Sequence, residues 1–276
     1  LATPCFRSPR VYRRKPADCP AAPPMCLIAF ALNQHPRYRL VLAANRDEFH
    51  ARPSAAADFH EDAPQVFGGR DLQAGGSWLL ATRAGRVLAV TNVRTGAPES
   101  GLRSRGDLVR RAASASDLHD ELSSLQAHAH DFGRYNLLAF EPNGLWYAGS
   151  HPEVRMRAVE LGVHALSNAD LNTPWPKALQ LRARMVDWIE TGTDDVAPLF
   201  DALADPRLAA DDELPQTGVP MDWERRLSAA FIVGEPYGTR ASTVVLVADD
   251  HVRFIERRFG PMGVALGGTD QSFERR

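Results

Sequence analysis

Two short stretches decide the fold and the site of this chain: MCLIAF at residues 25–30 and NRDE at residues 45–48. If translation starts at Met25 and this methionine is then removed, Cys26 becomes the first residue and carries both a thiol and a free α-amine. An α-amine has a pKa of about 8, so it can accept the proton of its own side chain. The first stretch therefore predicts a nucleophile at the start of a strand.

Residues 1–24 differ in character from the sequence that follows. They are rich in arginine and proline and lack the apolar run of a secretory signal. We expect an over-extended gene start, a propeptide that is removed before Cys26, or an organellar-type targeting or disordered arm. In each case residues 1–24 lie outside the fold, and residues 25–276 form a single domain.

The composition excludes several classes of partner. Lys+Arg 32 against Asp+Glu 34 gives a net charge of −2, so no overall field favours nucleic acid or an acidic membrane surface. No stretch approaches the 18 or so apolar residues of a transmembrane helix. Cys26 is the only cysteine after residue 24, which favours a reducing, cytoplasmic setting.

Hydrophobic periodicity predicts strands in hairpins with helices grouped between them, which is typical of an α+β fold. Residues 50–76, between the first two hairpins, are expected to form a long surface segment. In the longest helix, we place Leu179, Ala183, Val186 and Ile189 on one face. The predicted strands are 26–32, 39–45, 77–82, 86–92, 134–141, 145–149, 157–161, 163–167, 229–233, 241–248 and 252–257, and the predicted helices are 106–115, 116–129, 174–190 and 196–204.

The first hairpin determines which side chains face Cys26. If Leu32 pairs with Arg39, the antiparallel register brings Cys26 opposite Asn45 and onto the same face. Asp47 then shares this face by alternation, whereas Arg46 and Glu48 point away. A slip of one residue reverses the assignment. The alternatives are a solvated strand end with local ion pairs and an ordinary buried cysteine.

The full set of motifs resembles the NRDE family, which includes bacterial proteins and the eukaryotic transport and Golgi organisation protein two. The resemblance covers residues 25–276 and implies a four-layer αββα sandwich of the N-terminal-nucleophile hydrolase type, as in penicillin V acylases and bile-salt hydrolases. The motifs that carry it are MCLIAF at 25–30, LAANRDEF at 42–49, RP at 52–53, GRDL at 69–72, GGSW at 75–78, TNVR at 91–94 and YGTR at 237–240.

The resemblance also implies roles for individual residues. Cys26 would be nucleophile and base, Asp47 would hold the α-amine and Arg46 would polarise the thiol. Asn168, in a segment similar to one of the acylases, would donate to the oxyanion, and Asn92 is a second candidate for this donor. Arg46 and Asp47 are adjacent here, whereas the acylases separate their Arg and Asp, so these two equivalences are uncertain.

Other polar residues are candidates for substrate binding. Asn45 and Glu48 belong to the cluster at the strand end, and Arg240 lies between two strands where it could meet a carboxylate or phosphate. Arg70 follows glycines that could approach an anionic ligand, although a turn-rich loop is the simpler interpretation. The histidines lack a carboxylate or cysteine at ligand spacing, so no metal ligands are predicted.

These observations predict a cytoplasmic amidohydrolase without a cofactor, in which Cys26 attacks a non-peptide C–N amide bond. The alternative is a carrier or chaperone that binds haem, acyl-CoA or a related lipid without chemistry, because eukaryotic relatives are connected with haem movement and lipid homeostasis. In both cases the partner is a small molecule. The catalytic alternative requires that the mature chain begins at Cys26.

Overall fold

The computed structural model describes residues 25–96 and 103–276 of the chain. The predicted leader, residues 1–24, lies outside the described residues. Two antiparallel sheets stack face to face, and helices cover the outer face of each sheet. This is the predicted four-layer αββα arrangement, and the fold-class prediction is confirmed.

The two sheets contain six and seven strands, numbered here along the chain. The first sheet has the spatial order β10 (Gly162–Leu166), β1 (Met25–Leu32), β2 (Leu40–Phe49), β11 (Tyr237–Val247), β12 (His251–Phe259) and β13 (Ala265–Glu274). The second sheet has the order β3 (Ser54–His60), β4 (Ala63–Asp71), β5 (Leu79–Thr82), β6 (Val87–Asn92), β7 (Tyr135–Glu141), β8 (Gly144–Gly149) and β9 (Arg155–Ala158).

Five α-helices complete the described part of the fold: α1 (Gly106–Ser114), α2 (Leu118–Ala127), α3 (Pro176–Thr191), α4 (Ala197–Leu203) and α5 (Met221–Arg226). Helices α1 and α2 pack on the second sheet, and α3 and α4 pack on the first. The side chain of Asp117 caps α2, and Gly192 ends α3 in the left-handed region with φ 61°. Among the described helices, none is long and apolar enough to cross a membrane.

The apolar run of β1 is explained by burial on both of its faces. Ile28 and Phe30 point into the core between the two sheets, whereas Leu27 and Ala29 point toward α3. Successive strand residues face opposite sides. A strand that is covered on both sides therefore needs apolar residues on both of its faces. This alternation places the side chain of Cys26 on the inner face of the first sheet, toward the second sheet.

The predicted register of the first hairpin is wrong by one residue. Leu32 pairs with Leu40, and Cys26 pairs with Arg46 rather than Asn45. The loop is one residue longer than expected because the backbone N–H of Arg39 donates to Val247 O at 2.7 Å, in the neighbouring strand β11. The slip exchanges the faces, so Arg46 shares the face of Cys26 and the prediction that Asp47 does so is wrong.

Residues 50–76 do not form the predicted long surface segment, because they contain strands β3 and β4. Glycines within β4 make its sequence resemble that of a loop. A Cβ at Gly69 would lie 2.2 Å from the ring of Trp78, so glycine allows the indole to lie directly against the strand. The indole in turn lies beneath the guanidinium of Arg46, 4.5 Å from the ring centroid.

The predicted strand pair around Gly162 is also wrong. Strand β9 pairs with β8 in the second sheet, whereas β10 pairs with β1 in the first. The connection therefore carries the chain from one sheet to the other. Gly162 has φ +145°, a conformation that side chains disfavour and that suits this crossing.

Helix α3 buries a different face from the predicted one. Leu179 and Val186 are exposed by 47% and 37%, and the buried residues are Lys177, Ala178, Leu181, Met185 and Trp188. Spacings of four and three residues place the large members of this set, Leu181, Met185 and Trp188, on one stripe against β1.

The C-terminal region contains a strand and a helix that the pattern did not reveal. Residues 229–233 form no strand, because Ile232 exchanges bonds with the Thr239 side chain and backbone and Phe231 N–H donates to Asp205 O. The chain closes with β13 instead, and α5 follows the Pro- and Asp-rich loop.

Candidate active site

A cleft of about 410 Å³ opens where the ends of β1, β2 and β6 meet. It brings four of the predicted site residues together: Cys26, Arg46, Glu48 and Asn92. These residues come from three strands of two sheets, so only the fold makes them neighbours. The other lining residues are Arg52, Asp71, Ala74, Ser77, Trp78, Val90, Arg103, Ser104, Arg105, Gly106 and Gly133.

Cys26 lines the cleft and is 9% exposed as a residue. The pKa of its thiol is raised to about 12, first by burial and then by the negative charge of Asp47, whereas Arg46 and Lys177 act to lower it. The Cys26 carbonyl accepts a hydrogen bond from Ser167 Oγ at 3.0 Å. At neutral pH the thiol is therefore protonated, and it requires a nearby base to become a nucleophile.

Charged side chains opposite Cys26 form a connected cluster. Arg46 Nη2 lies 3.8 Å from Glu48 Oε2, and Glu48 Oε2 lies 3.7 Å from Arg52 Nε. Arg52 Nη2 also contacts Asp71 Oδ2 at 2.5 Å. Arg46 and Glu48 are both almost fully buried, so each needs the other to balance its charge.

Asp47 lies on the opposite face of β2, toward the helical layer. Its Oδ1 accepts a hydrogen bond from Thr239 Oγ1 at 2.6 Å, so Thr239 of the YGTR motif orients the carboxylate. Its Oδ2 is buried and has no donor within the described part of the chain. Burial is the largest cause that raises the pKa of Asp47 to about 6, while Lys177 lowers it. One oxygen of this carboxylate is thus free to accept another hydrogen bond.

Asn92 and Asn168 form an amide pair beside the cleft. Asn168 Nδ2 donates to the backbone O of Asn92 at 3.1 Å and to its Oδ1 at 2.7 Å, so both N–H groups of Asn168 are used. Asn92 Nδ2 has no acceptor among the residues described, and Asn92 lines the cleft whereas Asn168 does not. Asn168 therefore orients the Asn92 side chain, and Asn92 keeps one amide group that bonds no described residue.

The remaining predicted residues lie outside this cleft. Asn45 donates to the carbonyls of Leu203 and Ala230 and accepts from Ser242, and these bonds use its side chain for the fold. Arg70 Nη2 contacts Asp62 Oδ2 at 2.6 Å.

Arg240 serves a turn next to the site. Its Nη1 donates to the carbonyls of Phe49 and Arg52, both at 2.9 Å. It also lines a separate cavity of about 80 Å³, which reaches the far side of Arg46 and Trp78. Arg240 therefore fixes the conformation of the chain between β2 and β3.

The sequence interpretation missed several residues of the site. Arg52, Asp71 and Trp78 line the cleft, and each belongs to a motif of the family pattern that carried no role. Lys177 was also missed, although it is the only lysine after residue 15. This rarity was the available signal, and the structure buries Lys177 in the first turn of α3.

Comparison with known sequences identifies the family. The sequence model of the family "Transport and Golgi organisation 2" matches residues 25–261. The chain belongs to this family. It is 34% identical to the Transport and Golgi organization protein 2 homolog of Bos taurus over 258 residues, which cover 84% of this chain and 92% of the relative. The Homo sapiens homolog is 33% identical over 257 residues with the same coverage.

A solved structure is also similar in outline. The Caenorhabditis elegans N-acylethanolamine-hydrolyzing acid amidase ortholog superposes with a TM-score of 0.49 and 10% sequence identity, covering 80% of this chain and 92% of that chain. The assignment of the four layers in this protein depends on its own sheets and clusters.

Proposed function

We propose that this protein is a cysteine amidohydrolase of N-terminal-nucleophile type, which cleaves a non-peptide C–N amide bond. One observation carries the proposal: Cys26 and Asn92 line the same cleft, and Asn92 Nδ2 has no acceptor among the described residues. Acyl transfer needs a nucleophile and a donor for the developing oxyanion within reach of one carbonyl group. Membership of the family is compatible with this proposal and does not by itself assign a reaction.

The proposed reaction begins when the chain starts at Cys26. The α-amine accepts the thiol proton, and the sulfur attacks the carbonyl carbon of the substrate amide. Asn92 Nδ2 donates to the oxyanion, and the α-ammonium returns the proton to the leaving nitrogen, so that the C–N bond breaks and an acyl-enzyme remains. The amine then accepts a proton from water and the hydroxide attacks the acyl carbon. The C–S bond breaks, the α-ammonium returns its proton to the sulfur, and the carboxylic acid product leaves.

The electrostatics of Cys26 support an intrinsic base. Burial is the main cause that raises the pKa of the thiol to about 12, so the thiol does not ionise by itself at neutral pH. A base whose pKa is near 8 must therefore lie within hydrogen-bond reach of the thiol. Met25, which precedes the nucleophile, pairs with Asp47 across the hairpin. We infer that the α-amine exposed by removal of Met25 donates to the free Oδ2 of Asp47.

The test combines mass spectrometry with a panel of N-acyl amides. The natively expressed protein is expected to have the mass of a chain that starts at Cys26 and to hydrolyse at least one amide. Cys26→Ala should abolish turnover without changing the fold. Cys5 and Cys19 precede this start, so Cys26 is the one thiol that the expected mature chain contains. Full hydrolysis by Cys26→Ala would falsify the mechanism.

A second candidate function, a carrier without chemistry, is favoured by the same burial of Cys26. A thiol with a pKa of about 12 is inert at neutral pH. It also suits haem iron poorly, because iron is held by a thiolate, so acyl-CoA or another lipid is the better ligand class for this alternative. Titration with acyl-CoA and with haemin separates the candidates: saturable binding that Cys26→Ala leaves unchanged, without hydrolysis of any amide, favours the carrier.

Our proposal includes a cytoplasmic location. A single cysteine after residue 24 cannot form a disulfide within this domain, and a nucleophilic thiol stays reduced where glutathione and thioredoxin maintain it. Fractionation of native cells is expected to recover the amidase in the cytoplasmic fraction. Recovery in an oxidising compartment would contradict this part of the proposal.

A further inference from the structure

Lys177 is buried in a position that is unfavourable for a lysine. It lies in the first turn of α3, is 3% exposed, and its Nζ has no hydrogen-bond acceptor within residues 25–96 and 103–276. Lysine is almost never buried without a partner. A cation is also disfavoured at a helix N-terminus, where the helix dipole is positive. The fold alone thus gives no reason for an ammonium group at this position.

The composition of the chain makes the position more unusual. Lys15 and Lys177 are the only lysines among 32 basic residues. Every other basic position after residue 24 is arginine, including Arg94, which lies close enough to Lys177 to lower its pKa. Arg94 has its own carboxylate partner, because its Nη1 lies 3.1 Å from Glu224 Oε2. Lys177 is therefore the cation in this region that is not paired.

The acidic group with the largest effect on Lys177 is Asp47, which lies on the side of β2 that packs against the buried face of α3, where Lys177 lies. Burial lowers the pKa of Lys177, and Asp47 is the group that raises it most. Burial raises the pKa of Asp47, and Lys177 is the group that lowers it most. Asp47 Oδ2 and Lys177 Nζ each lack a hydrogen-bond partner in the described part of the molecule. The two opposite charges therefore stabilise each other without a direct hydrogen bond. Each group can still form a hydrogen bond with a further group.

We propose that Lys177 is a positioning residue of the Cys26 site: its ammonium balances Asp47, so that the carboxylate holds the Cys26 α-amine in its neutral, proton-accepting form. This inference rests on the proposed function. Next to a buried carboxylate alone, an amine is stabilised as an ammonium and loses its capacity as a base. A second cation beside the same carboxylate offsets its negative charge, so the ammonium form of the amine is no longer favoured.

All neighbouring charges enter this balance. Strand β2 presents Arg46, Asp47 and Glu48 to the site, α3 presents Lys177, and the chain after β6 presents Arg94. Arg46 and Glu48 lie on the face of Cys26 and approach each other to 3.8 Å. Lys177 is the cation with the largest effect on the carboxylate of Asp47, ahead of Arg46.

The sequence allows a clean test, because a mature chain that starts at Cys26 has only two amines, the α-amine and Lys177 Nζ. In Lys177→Met the α-amine is the only amine left. Competitive acetylation with acetic anhydride at a series of pH values, read by mass spectrometry of the N-terminal peptide, reports the protonation of this amine without reference to turnover. The Lys177→Arg variant keeps the charge, and thermal melting checks that both variants fold.

We expect the midpoint of α-amine acetylation to move up by about one pH unit in Lys177→Met, since loss of a nearby like charge shifts a pKa by at least this amount. The ascending limb of kcat/KM should move up with it, with activity recovered at high pH. Lys177→Arg should retain the wild-type midpoint. Adding Asp47→Asn to Lys177→Met should return the midpoint toward about 8, the value of a free α-amine.

The outcomes separate this inference from the proposed function. An unchanged acetylation midpoint in a folded Lys177→Met overturns the role of Lys177, even if the enzyme hydrolyses amides. An equal loss of kcat/KM at every pH indicates a structural role and also overturns it. A protein that retains Met25 has no α-amine at Cys26 and overturns both. A shifted midpoint without hydrolysis by the wild type supports the charge balance and contradicts the amidase.

Discussion

The two faces of β2 use the NRDE motif for different purposes. Arg46 and Glu48 face the cleft and form a charged cluster beside the Cys26 thiol. Asn45 and Asp47 face the helical layer, where Asn45 bonds three neighbours and Asp47 bonds Thr239. One motif of four consecutive residues thus contains a residue whose bonds serve the fold, a charged pair at the cleft and a carboxylate with one free oxygen.

This difference shows that sharing a motif does not imply sharing a role. Alternation along a strand sends adjacent residues into different environments. Here one environment is an open cleft and the other is a buried layer. Substitutions on the helix-facing side should therefore change stability first, and substitutions on the cleft-facing side should change the reactivity of the thiol first.

The largest expected effect on the helix-facing side is that of Asn45→Ala. It removes donors to the carbonyls of Leu203 and Ala230, at 2.7 and 2.8 Å, and an acceptor for Ser242 Oγ. Buried groups left without partners cost roughly 1–3 kcal/mol each, so we expect a loss of about 4 kcal/mol in the free energy of unfolding. Urea unfolding monitored by circular dichroism measures it.

The control for this prediction is Ser242→Ala, which removes one of the three contacts and leaves the other two. It should cost about 1 kcal/mol. If Asn45→Ala and Ser242→Ala unfold at the same urea concentration, the side chain of Asn45 does not hold the layers together, and the division of work between the two faces is wrong.

The pH dependence of stability should reveal Asp47. The folded pKa of about 6 lies above the ordinary value of 3.8, mainly because of burial. The folded state therefore binds this proton more tightly, and the contribution of Asp47 to stability is greatest below pH 3.8 and is lost as the pH rises through 6. Relative to Asp47→Asn, the wild type should lose about 3 kcal/mol between roughly pH 3 and pH 7, because a pKa that differs by one between the folded and unfolded states corresponds to about 1.4 kcal/mol.

The measurement compares wild type with Asp47→Asn in urea at several pH values, because the difference removes the carboxylates common to both. Several of these, such as Asp71 beside Arg52, have a lowered pKa and act in the opposite direction. The amide oxygen that Asp47→Asn introduces can still accept the hydrogen bond of Thr239, so the variant is expected to fold. A difference that stays constant across this pH range would show that Asp47 is not desolvated in the folded state.

The sequence predicts most elements of the fold because their signals are local. Strand β1 is an apolar run and the predicted helix 174–190 has helical periodicity, and the structure has both elements. The closeness of Cys26 to Arg46 and Glu48 also follows from the two strands of one hairpin, whereas Asn92 joins them only through the second sheet. These signals require no information about the rest of the chain.

The errors have nonlocal causes. The register of the hairpin depends on Arg39, whose backbone N–H bonds Val247 more than 200 positions away in the sequence. The buried face of α3 depends on which residues meet β1, and Lys177 lies on that face although its charge predicts exposure. Strand β4 depends on Trp78, which occupies the space that glycine leaves. A single sequence cannot reveal these partners.

The smallest expected effect concerns the cleft-facing side of β2. Arg46 lowers the pKa of the Cys26 thiol, and Glu48 raises it. Arg46→Gln should therefore slow alkylation of Cys26 by iodoacetamide at fixed pH, and Glu48→Gln should accelerate it. A tenfold change corresponds to about 1.4 kcal/mol, which is a reasonable upper limit for one partly screened charge.

The opposite signs make this prediction informative. A change in packing or in access to the cleft would alter the alkylation rate in the same direction for both variants, whereas a change in charge must alter it in opposite directions. Arg70→Gln is the matched control, because it removes a charge of the same sign as Arg46 outside the cleft, where Arg70 contacts Asp62. If Arg46→Gln and Glu48→Gln both slow the reaction, access and not charge controls the thiol, and the cleft-facing pair has no electrostatic role at Cys26.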